Sequence, residues 1–452
     1  MVKLADAIRP ALAGATLAVL AAPAAQAAKP APPPAEPILG TPEQDEAEAM
    51  VLSLLADPDI KAVQAGLRGQ LLDTEIGRTR DGAATVDRAI TCLTTSMLFH
   101  VVAGYLSSPT FIWGIEDTPR DWRGRAVPCS GTAGDNPDNI YRSTTLEGGV
   151  RYEITGRLDP QRRATQFIVQ LGPGEGSIAP DLATAGPEAV KVLGAFDDRH
   201  MQIAPDGSFR LTVGGESGAP THVATPPGPI AIGFRDTMAD WNQEPARLVA
   251  RRLDPPGAAK LDHDEIRRIA VGRLGDYVRN WSKFATYGFG GLKPNTHSQP
   301  GGRAGGWGFV MGIRFSLAED EAAVVTIARG DAKYTGFQVV DPWTIADDAR
   351  KYQTSLNTAQ STPDKDGNYT YVISPRDPGV ANWLDTNGLR DGFGIVRWQA
   401  VPAEMTNAGL MRGYRVIKLA DVAKLRGVAR VTPAQRRAQL ERRAREWANR
   451  LR

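Results

Sequence analysis

The residues best suited to chemistry stand on one short stretch, Gly379 to Gln399. Asn382, Trp383 and Asp385 precede a polar turn there, and Arg397 and Trp398 follow it. Indoles beside hydrogen-bonding and charged groups suit a small organic or carbohydrate ligand. A ring face stacks on the ligand, Arg397 takes an anionic or hydroxylated group, and the amide and carboxylate add polar contacts. Two other uses of the same residues stay open. Each tryptophan packs between sheets with its indole N–H satisfied locally, or Asp385 and Arg397 form an ion pair across the turn. Strand alternation places Asn382 and Leu384 on one face, Trp383 and Asp385 on the other, and separates Arg397 from Trp398. Gly392 and Gly394 leave room for a ligand or another backbone to approach. Asp385 and Asp391 are also a carboxylate pair of the kind that hydrolyses glycosides, although Asp in turns ordinarily serves the turn.

Other chemistry finds little support. Gly301-Gly-Arg-Ala-Gly-Gly lacks the Lys-Ser/Thr of a phosphate-cradling loop. The five histidines, at 100, 200, 222, 263 and 297, sit in no nucleophile or metal-ligand spacing. His100 reads as a packed histidine on a helix. Asp135 and Asp138 lack the spacing and terminal Glu of a calcium loop. No metal and no cofactor is expected.

Two strands joined by the polar turn must position the 379–399 stretch, and strands dominate much of the chain. Period-two runs occur at 150–157, 165–171, 208–213, 229–234 and 247–252, and again at 307–317, 322–328, 335–340, 369–373 and 394–401. The second set echoes the first. Tyr152-Glu-Ile-Thr then Gln166-Phe-Ile-Val corresponds to Val325-Thr-Ile-Ala then Gly336-Phe-Gln-Val. Asp206-Gly-Ser-Phe corresponds to Asp366-Gly-Asn-Tyr, and Ile232-Gly-Phe-Arg to Gly394-Ile-Val-Arg. This order implies a divergent internal duplication. Helical spacing marks 43–56, 58–72, a helix from about Val86 through Val101, and 262–284. The tail, 432–452, reads as a capped helix with Leu440, Ala444, Trp447 and Leu451 on one face and a solvated arginine face around it.

At 452 residues the chain exceeds one ordinary domain. Its net charge of +2 implies no bulk attraction to nucleic acid. Lys3, Arg9, the apolar run Ala11 to Ala22 and Ala25-Gln26-Ala27 read as a signal peptide, followed by a Pro-rich linker. The mature chain is therefore expected to be periplasmic or secreted, with no transmembrane segment. Cys92 and Cys129 are the only cysteines, and either pair as a disulfide or remain two buried thiols.

Gly302-Arg-Ala-Gly-Gly-Trp-Gly-Phe, Gly336-Phe-Gln-Val-Val-Asp-Pro-Trp and Asn382-Trp-Leu-Asp-Thr-Asn-Gly together resemble bacterial proteins carrying the domain of unknown function 1214. That domain is often coupled to a second one, 1254. Asp135-Asn-Pro-Asp-Asn-Ile-Tyr-Arg and Asp236-Thr-Met-Ala-Asp-Trp look like the upstream region of the same group. The resemblance implies jelly-roll β-sandwiches with flanking helices and supplies no mechanism. The expected fold is thus mainly β with flanking helices (α+β), in two related jelly-roll-like modules. The expected organisation is signal peptide 1–27, linker 28–41, helical region 42–116, first sandwich 117–256, helical connector 257–300, second sandwich 301–431 and basic helix 432–452. The expected function is ligand binding by an exported protein. The alternatives are a periplasmic hydrolase or lyase acting on such a ligand, and a structural homo-oligomer.

Overall fold

The computed structural model describes residues 37–106, 109–174, 192–216, 218–219, 221–255, 261–289, 291–303 and 305–451. The expected signal peptide lies outside them, as does all of the expected linker before Pro37.

Three helices begin the described chain: α1 Pro42–Ala56, α2 Pro58–Leu72 and α3 Arg80–Tyr105. Each has a side-chain N-cap, from Thr41, Asp57 and Thr79. The cap at Thr79 starts α3 earlier than the apolar pattern indicates, because its first turns are built from small and polar residues. A disulfide joins Cys92 of α3 to Cys129, with Cα atoms 4.8 Å apart and a sequence separation of 37. Closing a loop of that length contributes roughly 3–4 kcal/mol in the chain-entropy model. Two further helices, α4 His263–Ser282 and α5 Phe284–Tyr287, pack with α1–α3 around one apolar core. The last helix is α6 Pro433–Ala448.

The first strands are β1 Ile112–Ile115, β2 Arg120–Trp122, β3 Arg125–Val127, β4 Asn139–Gly148, β5 Tyr152–Arg157 and β6 Gln166–Pro173. They are followed by β7 Gly194–Asp197, β8 Ser208–Gly214, β9 His222–Ala224, β10 Gly228–Thr237 and β11 Arg247–Arg252. The second set is β12 Thr296–His297, β13 Gly301–Gly302, β14 Gly308–Ser316, β15 Glu321–Ile327, β16 Tyr334–Val340 and β17 Ser355–Asn357. It ends with β18 Tyr369–Ser374, β19 Trp383–Asp385, β20 Asp391–Gln399 and β21 Met411–Lys418.

These strands form two sandwiches and a small β2-β3 ribbon. In the first sandwich, β1-β4-β10-β6-β7 faces β11-β5-β8-β9. In the second, β12-β14-β20-β16-β17 faces β19-β18-β15-β21. The order repeats strand for strand, and each sandwich carries one parallel pair at the same place, β8 with β9 and β18 with β19. Alternate residues fill each sandwich, such as Ile230, Ile232 and Phe234 from β10, and Val396 and Trp398 from β20. The residues between them point out of the sandwich. Arg235 of β10 and Arg397 of β20 are such residues, at equivalent places in the repeat.

Two sequence expectations are corrected here. The 379–399 stretch is not a hairpin: β19 pairs parallel with β18 in one sheet, and β20 lies between β14 and β16 in the other. The turn exists, with Asn387 and Gly388 both at positive φ. The chain, however, crosses from one sheet to the other, as an arch. The basic face of α6 is not solvated as a whole either. Arg436 and Arg443, seven residues apart, are buried on one side of it, and Arg450 continues the row just beyond. Their guanidiniums donate to the carbonyl oxygens of Val380, Ala349, Ser355 and Pro137. They also stack on Trp383 and Trp241. A guanidinium can be buried where its donors are matched in this way.

Candidate functional site

The outward faces of the two larger sheets enclose a cavity of about 450 Å³, closed at one side by α3, α4 and α5. The β4, β10 and β20 alternation supplies Tyr141, Arg235 and Arg397, and the segment between β13 and β14 supplies Arg303 and Trp307. The Arg303 guanidinium lies 4.0 Å from the Trp307 ring centroid, and that of Arg235 lies 5.6 Å from it. Arg397 donates to Gln338 Oε1 at 2.9 Å and to the carbonyl oxygen of Gly134. Among the described residues, the guanidiniums of Arg235 and Arg303 have neither a hydrogen-bond acceptor nor an ion-pair partner. Burial, and then the neighbouring charges of Arg235 and Arg397, hold the pKa of Arg303 well below the usual range. Three cations therefore share one cavity at an electrostatic cost that an anion would relieve.

The loop from Gly131 to Asn139 forms another part of the lining. Ala133 and Gly134 have positive φ, which turns the Gly134 carbonyl toward Arg397 and Gln338. Asp135 Oδ2 accepts the Thr132 N–H at 2.7 Å. Burial raises the Asp135 carboxyl to about 7, while Arg235 and Arg397 oppose the rise without coming within ion-pair distance of it. The Tyr141 hydroxyl accepts the Asn136 N–H at 2.8 Å, which leaves its own hydrogen for the cavity. Apolar residues line it as well, among them Ala103, Trp281 and Phe284 from the helices, Ile115 opposite Tyr141 and Val310 opposite Arg397. His100 also lies there, and burial lowers its pKa to about 4, so it is neutral near pH 7.

No family model matches the chain, and no curated protein matches it. It is similar to the crystal structure of an uncharacterized protein from Burkholderia cenocepacia, at 25% identity and a TM-score of 0.64. That match covers 82% of this chain and 99% of the other. The VPA0106 protein from Vibrio parahaemolyticus aligns at 11% identity over 73% of this chain and 97% of its own, with a TM-score of 0.38. The first likeness is one of fold, and its printed description assigns no activity.

Of the five ligand-binding candidates on the 379–399 stretch, only Arg397 lines the cavity. Asn382 is buried and its amide is spent on the backbone of Thr362 and Thr370. Trp383 donates to the Ser374 carbonyl and packs in a separate cluster with Val324 and Val372. Trp398 fills the second sandwich and donates to the Ala328 carbonyl. Asp385 accepts the Asn387 N–H, and burial raises its pKa to about 6. It makes no ion pair with Arg397, because β19 and β20 belong to different sheets. Asp385 and Asp391 are likewise outside the cavity. Among the described residues, no group of three or more His, Cys, Asp or Glu is placed to hold a metal ion. No helix among them is long and apolar enough to cross a membrane.

Arg235, Arg303, Trp307 and Tyr141 were not expected as site residues from sequence, and Asp135 was weighed there only as a calcium ligand. Arg235 had a readable signal, since it aligns with Arg397 in the repeated Ile232-Gly-Phe-Arg and Gly394-Ile-Val-Arg segments. Two copies of one strand, placed face to face, bring the same arginine to one cavity from both sides.

Proposed function

We propose that this chain holds a small organic anion between its two sandwiches, with the anionic group at Arg235, Arg303 and Arg397 and the apolar body toward Trp281 and Phe284. The observation that carries this reading is the pair of unmatched guanidiniums on Trp307. Both are half-buried and line the cavity, and a cation that faces a cavity without an acceptor is one that a ligand's anionic group can match. Planar guanidiniums suit carboxylate, sulfonate or phosphate oxygens. Anilinonaphthalene sulfonate has this form and reports its own binding by fluorescence. Arg235→Met and Arg303→Met, which keep the apolar stem, are each expected to weaken its binding about 10- to 100-fold, the loss of one charge-assisted contact. Arg303→Met should not lower the melting temperature, because it removes a repulsion. Unchanged dye affinity in both variants would overturn the reading.

The reading includes an exported protein, supported by Lys3, Arg9, the Ala-rich run, Ala25-Gln26-Ala27 and a disulfide of the kind that persists in oxidising compartments. Protein isolated from the producing cell should begin at Ala28 on N-terminal sequencing. Soluble cytoplasmic protein with Met1 intact would contradict export. Kinship with the 1214 group is likewise part of the proposal, resting on the motifs quoted above.

The hydrolase or lyase alternative has one observation in its favour, the Asp135 carboxylate in the same cavity as the arginines.

A further inference from the structure

We propose that the cavity takes up a proton together with its organic anion, and that Asp135 is the group that receives it. The inference rests on the anion-site reading above and adds a second ligand to that site.

The geometry begins beneath the loop. Asp117 is buried, and neither of its carboxylate oxygens has a hydrogen-bond partner. Gly131 passes directly over it: a Cβ on Gly131 would lie 1.5 Å from Asp117 Oδ1. The same loop then fastens Asp135 through the Thr132 N–H, on Oδ2. Among the described residues, Oδ1 of Asp135 has no hydrogen-bond donor, and Asp135 lines the cavity. A carboxylate therefore stands in the same enclosed space as three guanidiniums and forms no ion pair with any of them.

An anion placed in that space changes the balance in one direction. Empty, Arg235 and Arg397 favour the charged form of Asp135, against burial and the nearby Glu116. When an anion neutralises the guanidiniums, that support is withdrawn and a second negative charge is added nearby. The carboxyl must then bind its proton more tightly. By linkage, an anion that raises the affinity for a proton is itself bound more tightly when the proton is present. The free carboxyl titrates near 7. Anion affinity should therefore be level below that pH and fall above it, by up to about tenfold per pH unit for one linked proton.

The other groups facing Asp135 do not supply this titration. Asp117 is pushed well up by burial and by Asp135 and Glu116, and it lies beneath the loop and not in the cavity lining. Tyr141 and Tyr277 are raised, the latter to about 12, and His100 is lowered to about 4. Arg303 is lowered from a much higher starting value, and its loss of charge would also weaken an anion at alkaline pH. Replacing Asp135 separates these two origins.

The test uses the full mature protein and anilinonaphthalene sulfonate, whose sulfonate stays ionised throughout. Dye affinity is measured from about pH 6 to about pH 9. Calorimetry in HEPES and in Tris, whose ionisation heats differ, counts the protons taken up by the wild type without recourse to any variant. We expect net uptake approaching one proton per dye a little above neutral pH. The isosteric Asp135→Asn should bind the dye without pH dependence over the neutral range and about tenfold or more tighter than wild type near pH 8. Arg-dependent dye binding with no proton uptake, or the same pH slope in Asp135→Asn, would overturn the proton linkage and leave the anion site standing. Dye that does not bind the wild type at all, or binds Arg235→Met and Arg303→Met as tightly, would remove the anion site and the linkage with it.

Discussion

Asp138→Ala is expected to lose about 3–6 kcal/mol of stability, because three buried donors lose their acceptor at once and each orphaned donor costs about 1–3 kcal/mol. Asp138 Oδ1 accepts the Trp241 indole N–H at 2.7 Å. Oδ2 accepts the Tyr334 hydroxyl at 2.7 Å and the Asn357 amide at 3.2 Å. Trp241 follows β10 of the first sandwich, whereas Tyr334 and Asn357 belong to β16 and β17 of the second. The Asn136 amide also donates to the Tyr334 hydroxyl, at 2.8 Å. One carboxylate thus joins the two sandwiches, and Trp241 lies in turn beneath Arg443 and Arg450 at the end of the chain. Asp138→Asn keeps one acceptor oxygen and should lose about half as much. The measurement is the denaturant midpoint of each variant. A midpoint for Asp138→Ala within error of wild type would show that the network contributes little. The same variant should weaken dye binding, since Asp135 and the Gly134 carbonyl ride on the loop that Asp138 anchors.

That loop shows where sequence reading stops. Gly134-Asp-Asn-Pro-Asp-Asn has the composition of a surface turn, and loops ordinarily lie at the surface because their backbone groups need partners. Here the partners come from far along the chain: the Thr344 carbonyl for the Gly134 N–H, Gln338 and Arg397 for the Gly134 carbonyl, Tyr334 for Asn136, and Trp241, Tyr334 and Asn357 for Asp138. Nothing local to the sequence distinguishes such a loop from a solvated one. Within a sandwich the position is better. Period-two alternation puts Trp398 and Arg397 on opposite faces, of which the structure turns the first into the core and the second out of it, and the repeated segments align along equivalent strands of the two sandwiches. Alternation gives the side of a strand; it does not give what lies opposite. The turn at Asn387-Gly388 is a case in point, since its local chemistry suits a hairpin. Only the pairing of β19 with β18 and of β20 with β14 and β16 makes it an arch, and that pairing scatters the five residues of the 379–399 stretch among three environments.

Glu48→Ala should be comparably damaging, for an electrostatic reason. Glu48 lies on α1, and its side chain is fully buried. Oε1 accepts from Arg120 at 3.3 Å, from the Trp122 indole at 3.1 Å and from the Gln44 amide at 3.0 Å. Arg120 is itself buried, 4.2 Å from the Trp113 ring centroid, with Phe99 and Trp122 on its other sides. Burial lowers the pKa of that guanidinium, and Glu48 is the largest influence holding it up. Removing the carboxylate leaves that cation among aromatic rings with only the Trp113 carbonyl and the Glu116 charge to support it, at a cost of about 3–5 kcal/mol. Removing both charges is a different experiment. In Glu48→Gln with Arg120→Met, the new amide oxygen still accepts from Trp122 and Gln44, and a thioether of similar length fills the aromatic slot. This double variant should recover to within about 1–2 kcal/mol of wild type, because a buried ion pair gains little over a well-packed neutral pair. Urea denaturation of wild type, Glu48→Gln, Arg120→Met and their double variant closes the cycle and gives the coupling, with Glu48→Ala measured alongside. Equal losses in Glu48→Ala and the double variant would mean that packing, and not the stranded charge, sets the cost at this site.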